Sequence, residues 1–154
     1  KDVQEGEFLE AAVIHNQQVS GTPIRELESS LEHDMISVLE IQYDGVSNIV
    51  DMKQDAHVVW LTPPSYDEWI QRLKNRGNIT DTEFRNRIES AHDEYTHALE
   101  NAYYVHVVND EYHRATKKIR QIAETGDYDD QEAKAARDVS VSILAKIKEE
   151  LGRD

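Results

Sequence analysis

Two short apolar runs, Val58-Val59-Trp60-Leu61 and Tyr104-Val105-His106-Val107-Val108, bracket a pair of helix signals, and this arrangement constrains the fold more than anything else in the chain. The first run has no polar break, which marks a strand covered on both faces. Pro63 and Pro64 end it, because neither can donate to a sheet ladder. Ser65 with Glu68 three residues on forms a capping box, so a helix starts there with Trp69, Ile70 and Leu73 as its apolar stripe. It stops at Arg76-Gly77. Thr80 with Glu83 is a second capping box. It opens a longer helix in which Phe84, Ile88, Ala91, Tyr95 and Ala98 recur at helical spacing. The second run then ends at Asn109-Asp110.

Before this stretch, Phe8 to Ile14 reads as a strand or strand pair, followed by a polar turn at Asn16-Gln17-Gln18. Gly21-Thr22-Pro23 predicts a helix start, with Thr22 as N-cap and Pro23 as first helical residue. Ile24, Leu27 and Leu31 would be its buried stripe. Residues 35–41 read as a strand with Glu40 near its carboxyl end, and a short helix carrying Val46, Ile49 and Val50 leads on to residue 58. Strands alternating with helices imply a parallel sheet with right-handed crossovers. After Asp110 a helix carries Ala115, Ile119 and Ile122 and closes at Thr125-Gly126. A last helix, within residues 127–154, has Ala136, Val139, Ile143, Ile147 and Leu151 on one face. Packing on its own domain is the first reading of that face, and a homodimer contact is the second.

Composition sets outer bounds. A chain of 154 residues is one ordinary domain, with no apolar stretch long enough to span a bilayer and no signal-peptide pattern. Without cysteine there are no disulfides or thiolate metal sites, so the expected setting is cytoplasmic. A formal charge of -14 argues against nucleic acid as a partner, and the acidity of the last helix argues against a membrane surface. The charge is uneven. Residues 1–60 hold 12 acids against 3 bases, whereas residues 61–123 hold 10 against 9. Any anion handling therefore belongs to the middle segment, where Arg72, Lys74, Arg76, Arg85 and Arg87 cluster. By composition alone those cations are a solvated face.

The order of motifs changes that reading. Pro63-Pro64-Ser65, Arg72-Leu73-(two residues)-Arg76-Gly77, Arg87-Ile88 and Val108-Asn109-Asp110 resemble the second half of guanylate kinases. The resemblance runs from about Glu7 to about Glu124. It implies a P-loop nucleoside monophosphate kinase-like α/β fold, a parallel sheet flanked by helices. The first strand and P-loop would be missing from this chain, and the helix after residue 124 would be an addition. Residues 1–124 would then be the kinase-like domain, with a GMP-binding region at about 7–34 and a lid at about 72–88, and residues 125–154 a helical extension.

The resemblance also assigns residues. Arg76 and Arg87 match lid arginines that bridge donor and acceptor phosphates, with Arg72 assisting; planar guanidinium forks bind phosphate oxygens bidentately. Phe8-Leu9-Glu10 matches a stretch in which Glu10 would accept from the guanine edge, since a carboxylate takes two neighbouring N–H donors at once. Gly21-Thr22 matches the close of the GMP loop. The family has two tyrosines before that glycine; Val19 and Ser20 stand here, after an apparent one-residue insertion, and Ser20 can replace one hydroxyl at shorter reach. Glu40 keeps the acid that supports a magnesium–water shell, with no direct metal ligand implied, while Gln42 replaces a second acid on the GMP side. Asn109 matches an asparagine on the adenine side of ATP.

None of the six glycines is followed by Lys-Ser or Lys-Thr, so the P-loop pattern is absent from these 154 residues. Two functions follow from the resemblance. One is a magnesium-dependent phosphotransferase making ADP and (d)GDP from ATP and (d)GMP once a P-loop segment is supplied. The other is a degenerate, non-catalytic binding module. His92 and His97 are five apart and so do not share a helical face, which argues against a zinc site.

Overall fold

The computed structural model describes residues 8–14, 18–23, 32, 33, 35–53, 55–75, 77 and 79–153, with residues 8–14 and 18–23 described by their backbone. The chain forms two compact units, Lys1–Ala56 and His57–Asp154.

In the first unit, β1 (Phe8–Ile14) pairs antiparallel with β2 (Gln18–Pro23), from Phe8 opposite Pro23 to Ile14 opposite Gln18. The strand expected at Phe8 is therefore present. The helix start expected at Thr22-Pro23 is not, because both residues belong to the ladder. Pro23 is tolerated there at the end of the strand, where its missing donor is least costly. The apolar stripe of Ile24, Leu27 and Leu31 lies outside the described residues. Helix α1 (Tyr43–Met52) starts after Gln42, buries Gly45 and Ile49, and lies against β1.

Residues 35–42 correct a second expectation, since they form neither strand nor helix. An extended run becomes a strand only where a partner completes its ladder, and no described residue pairs with this one. Met35 and Ile36 are more than half exposed, and Val38 is 73% exposed.

The second unit contains β3 (Val58–Thr62), α2 (Tyr66–Asn75), α3 (Asp81–Glu100), β4 (Tyr104–Val108), α4 (Tyr112–Thr125) and α5 (Asp130–Leu151). β3 and β4 run parallel, with Val58 opposite Tyr104 and Thr62 opposite Val108. Among the described residues this pair is the only parallel sheet, where a wider one was expected. β3 is not covered on both faces either: Val58, Val59 and Trp60 are half-buried and Leu61 is 43% exposed. β4 fits the expectation better, with Tyr104, His106 and Val107 buried.

Local chemistry sets the helix ends. The Ser65 hydroxyl accepts from the Glu68 N–H at 3.2 Å. The return half of that box is missing because the Glu68 carboxylate binds Arg72 instead. At Thr80 the box is complete, and its hydrogen bonds hold the Glu83 carboxyl below its ordinary pKa. Glu111 caps α4 by accepting from the His113 and Arg114 N–H groups, and Asp129 caps α5 through the Glu132 N–H.

Gly126 closes α4 in the left-handed conformation, with φ 74°. A Cβ there would stand 2.9 Å from the His57 ring. Gly126→Ala should lower stability by about 1–2 kcal/mol, the cost of a left-handed L-residue. Because His57 is exposed and can swing aside, adding His57→Ala should recover little of that loss. Denaturant unfolding of both variants checks this, and full recovery would assign the cost to collision instead.

The core of the second unit lies between α3 and α5. Ile88, Ala91 and Tyr95 meet Ile143 and Ile147, and Trp60, Trp69, Ile70 and Leu151 close around them. Thus α5 packs on its own domain, the first of the two readings of its apolar face. A polar pair also joins α5 to the sheet: His106 Nδ1 lies 3.1 Å from the hydroxyl of fully buried Ser140.

Burial lowers the His106 pKa from its ordinary 6.5, opposed by a hydrogen bond to the Ala98 backbone carbonyl, and Arg137 adds to the lowering. The unfolded chain therefore binds this proton more readily than the folded one. Stability should be full above pH about 6.5 and fall on acidification below it. His106→Gln should flatten that limb in unfolding midpoints measured from about pH 5 to 8. An unchanged slope would assign it to other groups.

Candidate functional site

The nine candidates divide between the two units. In the first, the β1–β2 ladder sets Glu10 directly opposite Thr22 and Ser20 opposite Ala12, on alternate rungs. Their side chains are outside the description. Glu40 is exposed within residues 35–42. Gln42 is half-buried at the N-cap position of α1, with an extended backbone whose carbonyl accepts from the Gly45 N–H at 2.9 Å. Its side chain makes no capping bond.

In the second unit, two of the candidates, Arg72 and Asn109, meet at the carboxyl ends of β3 and β4, where ligand crevices of open α/β sheets form. The Asn109 N–H donates to the Thr62 carbonyl at 2.7 Å, which extends the parallel pairing one residue beyond β4. Beneath this point Thr62 is fully buried, and its hydroxyl lies 2.9 Å from that of Tyr95. Burial pushes the Tyr95 hydroxyl pKa up to about 12, with the Thr62 bond pulling the other way. The pair is neutral and dry, so the strand ends rest on a fixed floor.

Arg72 reaches the same strand end from α2. Its Nη1 donates to the Asn109 carbonyl at 2.9 Å, and its Nε to Glu68 Oε1 at 2.8 Å. Both side chains of that ion pair are a little over one-third exposed, at 36% and 39%. Asp110 turns away toward α4, where its carboxylate accepts from the Glu111 N–H and pairs with Arg114. Slight burial raises its pKa, but these two partners outweigh it and hold the carboxyl below the usual range. The Asn109-Asp110 step is therefore more than a plain turn: one residue closes the sheet and the other anchors the next helix.

The remaining cations are less tied. Arg85 pairs loosely with Glu89 at 3.5 Å. Arg87 is exposed on α3 and forms no ion pair among the described residues. Arg76 lies outside the described residues. The structure thus brings Arg72 and Asn109 together and leaves the side chain of Arg87 in solvent.

Sequence reading missed two of these features. The Arg72 contact with a backbone carbonyl has no pattern of its own, although Glu68 and Arg72 at i, i+4 signalled an ion pair. The Thr62–Tyr95 pair had one available signal. A threonine directly follows an apolar run, and a tyrosine sits in an otherwise apolar helical stripe.

Comparison with known proteins identifies relatives over most of the chain. The guanylate kinase family model matches residues 1–126. A guanylate kinase of Corynebacterium diphtheriae is 32% identical over 121 residues, which is 78% of this chain and 62% of that protein. Guanylate kinases of Rickettsia prowazekii and Caldanaerobacter subterraneus are also 32% identical, each over 120 residues. The chain covers 59% and 57% of these two, so it spans about three-fifths of the length of the curated relatives it matches. Among the described residues no helix is long and apolar enough to cross a membrane. With a mixed α/β architecture, a small parallel sheet and a family match over most of its length, the chain belongs to the guanylate kinase family.

Proposed function

We propose that this chain is the acceptor-binding and lid portion of a guanylate kinase-type phosphotransferase, which moves the γ-phosphoryl group of ATP to (d)GMP and releases ADP and (d)GDP. The observation that carries the reading is the strand-end geometry. Asn109 is held between Thr62 and Arg72 at the carboxyl ends of β3 and β4, where a donor nucleotide would lie. Asn109 then faces the adenine side, with Arg72 bonded to its backbone, and Arg76 and Arg87 serve the phosphates. Glu10, Ser20, Thr22 and Gln42 serve the acceptor. In the β1–β2 ladder Glu10 stands opposite Thr22, two rungs from Ser20.

Magnesium would be held through water by Glu40. An exposed single carboxylate suits a cation that keeps most of its waters and takes its other ligands from substrate phosphates. Its chemistry is to neutralise charge on the transferring phosphate.

Activity in this reading requires a phosphate cradle from a segment beyond these residues. Exposed Leu61 on β3 is apolar surface that such a segment would cover. The 154-residue chain alone should therefore not transfer phosphate. A coupled assay with ATP, magnesium and GMP tests this, and turnover of about 1 per second or more, ordinary for a kinase, would refute it. The second reading, a non-catalytic binding module in the cytoplasm, is favoured by Val19 and Gln42, which stand where the family carries a tyrosine and an acid. It predicts ligand binding without turnover even when a cradle is supplied.

A further inference from the structure

We propose that Arg72 is a positioning residue for the donor nucleotide, acting through Asn109 rather than on phosphate; this rests on the reading that Asn109 serves the adenine side. Two of the three nitrogens of the guanidinium are already committed, Nη1 to the Asn109 carbonyl at 2.9 Å and Nε to Glu68 at 2.8 Å. A fork used in this way can present its Nε–Nη2 edge bidentately to a phosphate only by giving up the bond to Glu68. The bond goes to the backbone of Asn109, so it fixes the peptide while leaving the asparagine amide free to meet a ligand.

The Asn109 peptide is held from both sides. Its N–H donates to the Thr62 carbonyl at 2.7 Å, while its own carbonyl accepts from Arg72. Thr62 in turn rests on Tyr95 at 2.9 Å. Asn109 follows the last residue of β4, and Asp110 beyond it is drawn off toward Arg114. Without Arg72, only one bond would fix the peptide that orients the Asn109 side chain. Glu68 completes the strut by holding Arg72 from one turn earlier on α2.

The test is a double-mutant cycle on ATP binding to the 154-residue chain, with GMP as a second probe and thermal unfolding as a control. Arg72→Ala and Asn109→Ala should each weaken ATP by about fivefold, the usual worth of one hydrogen bond, and leave GMP unchanged. Because Asn109→Ala keeps the carbonyl that Arg72 binds, the double variant should be no weaker than the worse single one. Arg72→Lys should recover part of the ATP affinity, since an ammonium can still reach the carbonyl. Additive losses would overturn the proposal by showing that Arg72 touches ATP itself, and so would a loss in Arg72→Ala that affects ATP and GMP equally. An unaffected Asn109→Ala, with the amide resonance of residue 109 still displaced in Arg72→Ala, would reject the adenine-side reading instead and leave Arg72 a structural strut.

Discussion

Replacing Ile147 by alanine is expected to cost the second unit about 2–5 kcal/mol, the usual range for truncating a buried isoleucine. Ile147 is fully buried on α5 and packs with Ile88, Ala91, Tyr95 and Ile143. Alanine is the better helix former, but that gain of a few tenths of a kcal/mol is small beside the cavity left behind. A domain of this size has about 5–15 kcal/mol in total, so the variant should unfold at markedly lower denaturant. Val141 on the same helix is 46% exposed, and Val141→Ala should stay within about 0.5 kcal/mol. Equal effects at the two positions would mean that α5 does not pack as described. The comparison matters because α5 lies beyond the match to the guanylate kinase family model, which ends at residue 126. A large loss at Ile147 makes α5 part of the domain core rather than an appendage.

The second unit was legible because its signals are local. Both capping residues, Ser65 and Thr80, hydrogen-bond where the sequence puts them. The stripe of Ile88, Ala91, Tyr95 and Ala98 is buried, and Gly126 ends its helix in the left-handed conformation. Periodicity and caps are set within a few residues, so one sequence suffices to read them. Residues 35–41 failed for the complementary reason. An apolar run specifies a tendency to extend, but a ladder needs a second strand, and nothing within the run says whether one is present. Thr22-Pro23 failed through competition between two local readings, because a helix-start pattern is also tolerable at the end of a hairpin strand, and pairing with β1 decided it.

The candidate site was legible in residue types more than in roles. Arg72 drew notice as one of a cluster of cations, and composition could not distinguish a guanidinium aimed at solvent from one bonded to a strand end. Asn109 shows the same limit. As a sequence pattern Asn-Asp reads as a turn, while in the structure the Asn109 N–H extends the parallel pair and Asp110 holds Arg114. Backbone hydrogen bonds made across long sequence separations carry such roles, and they leave no imprint on residue identity.

Arg87→Ala is expected to lower phosphoryl-transfer rate by about 10³, by analogy with arginine fingers, where a P-loop segment is supplied. Arg87 immediately precedes Ile88, which is 1% exposed in the core, so its backbone is fixed while its side chain is in solvent. No described carboxylate pairs with it, although Glu83 one turn earlier feels its charge. A cation held by a rigid helix and left without a partner is suited to follow charge that develops only as the phosphate transfers. Arg76, next to Gly77 in sequence, should cost as much when removed, if the two act on one group. Arg87→Lys should restore only part of the rate, since an ammonium lacks the planar fork. Unfolding midpoints should not move in Arg87→Ala, because no described side chain depends on it. An unchanged rate in Arg87→Ala would reduce the cationic cluster to a solvated face, and a rate loss matched by a loss of stability would assign the effect to folding.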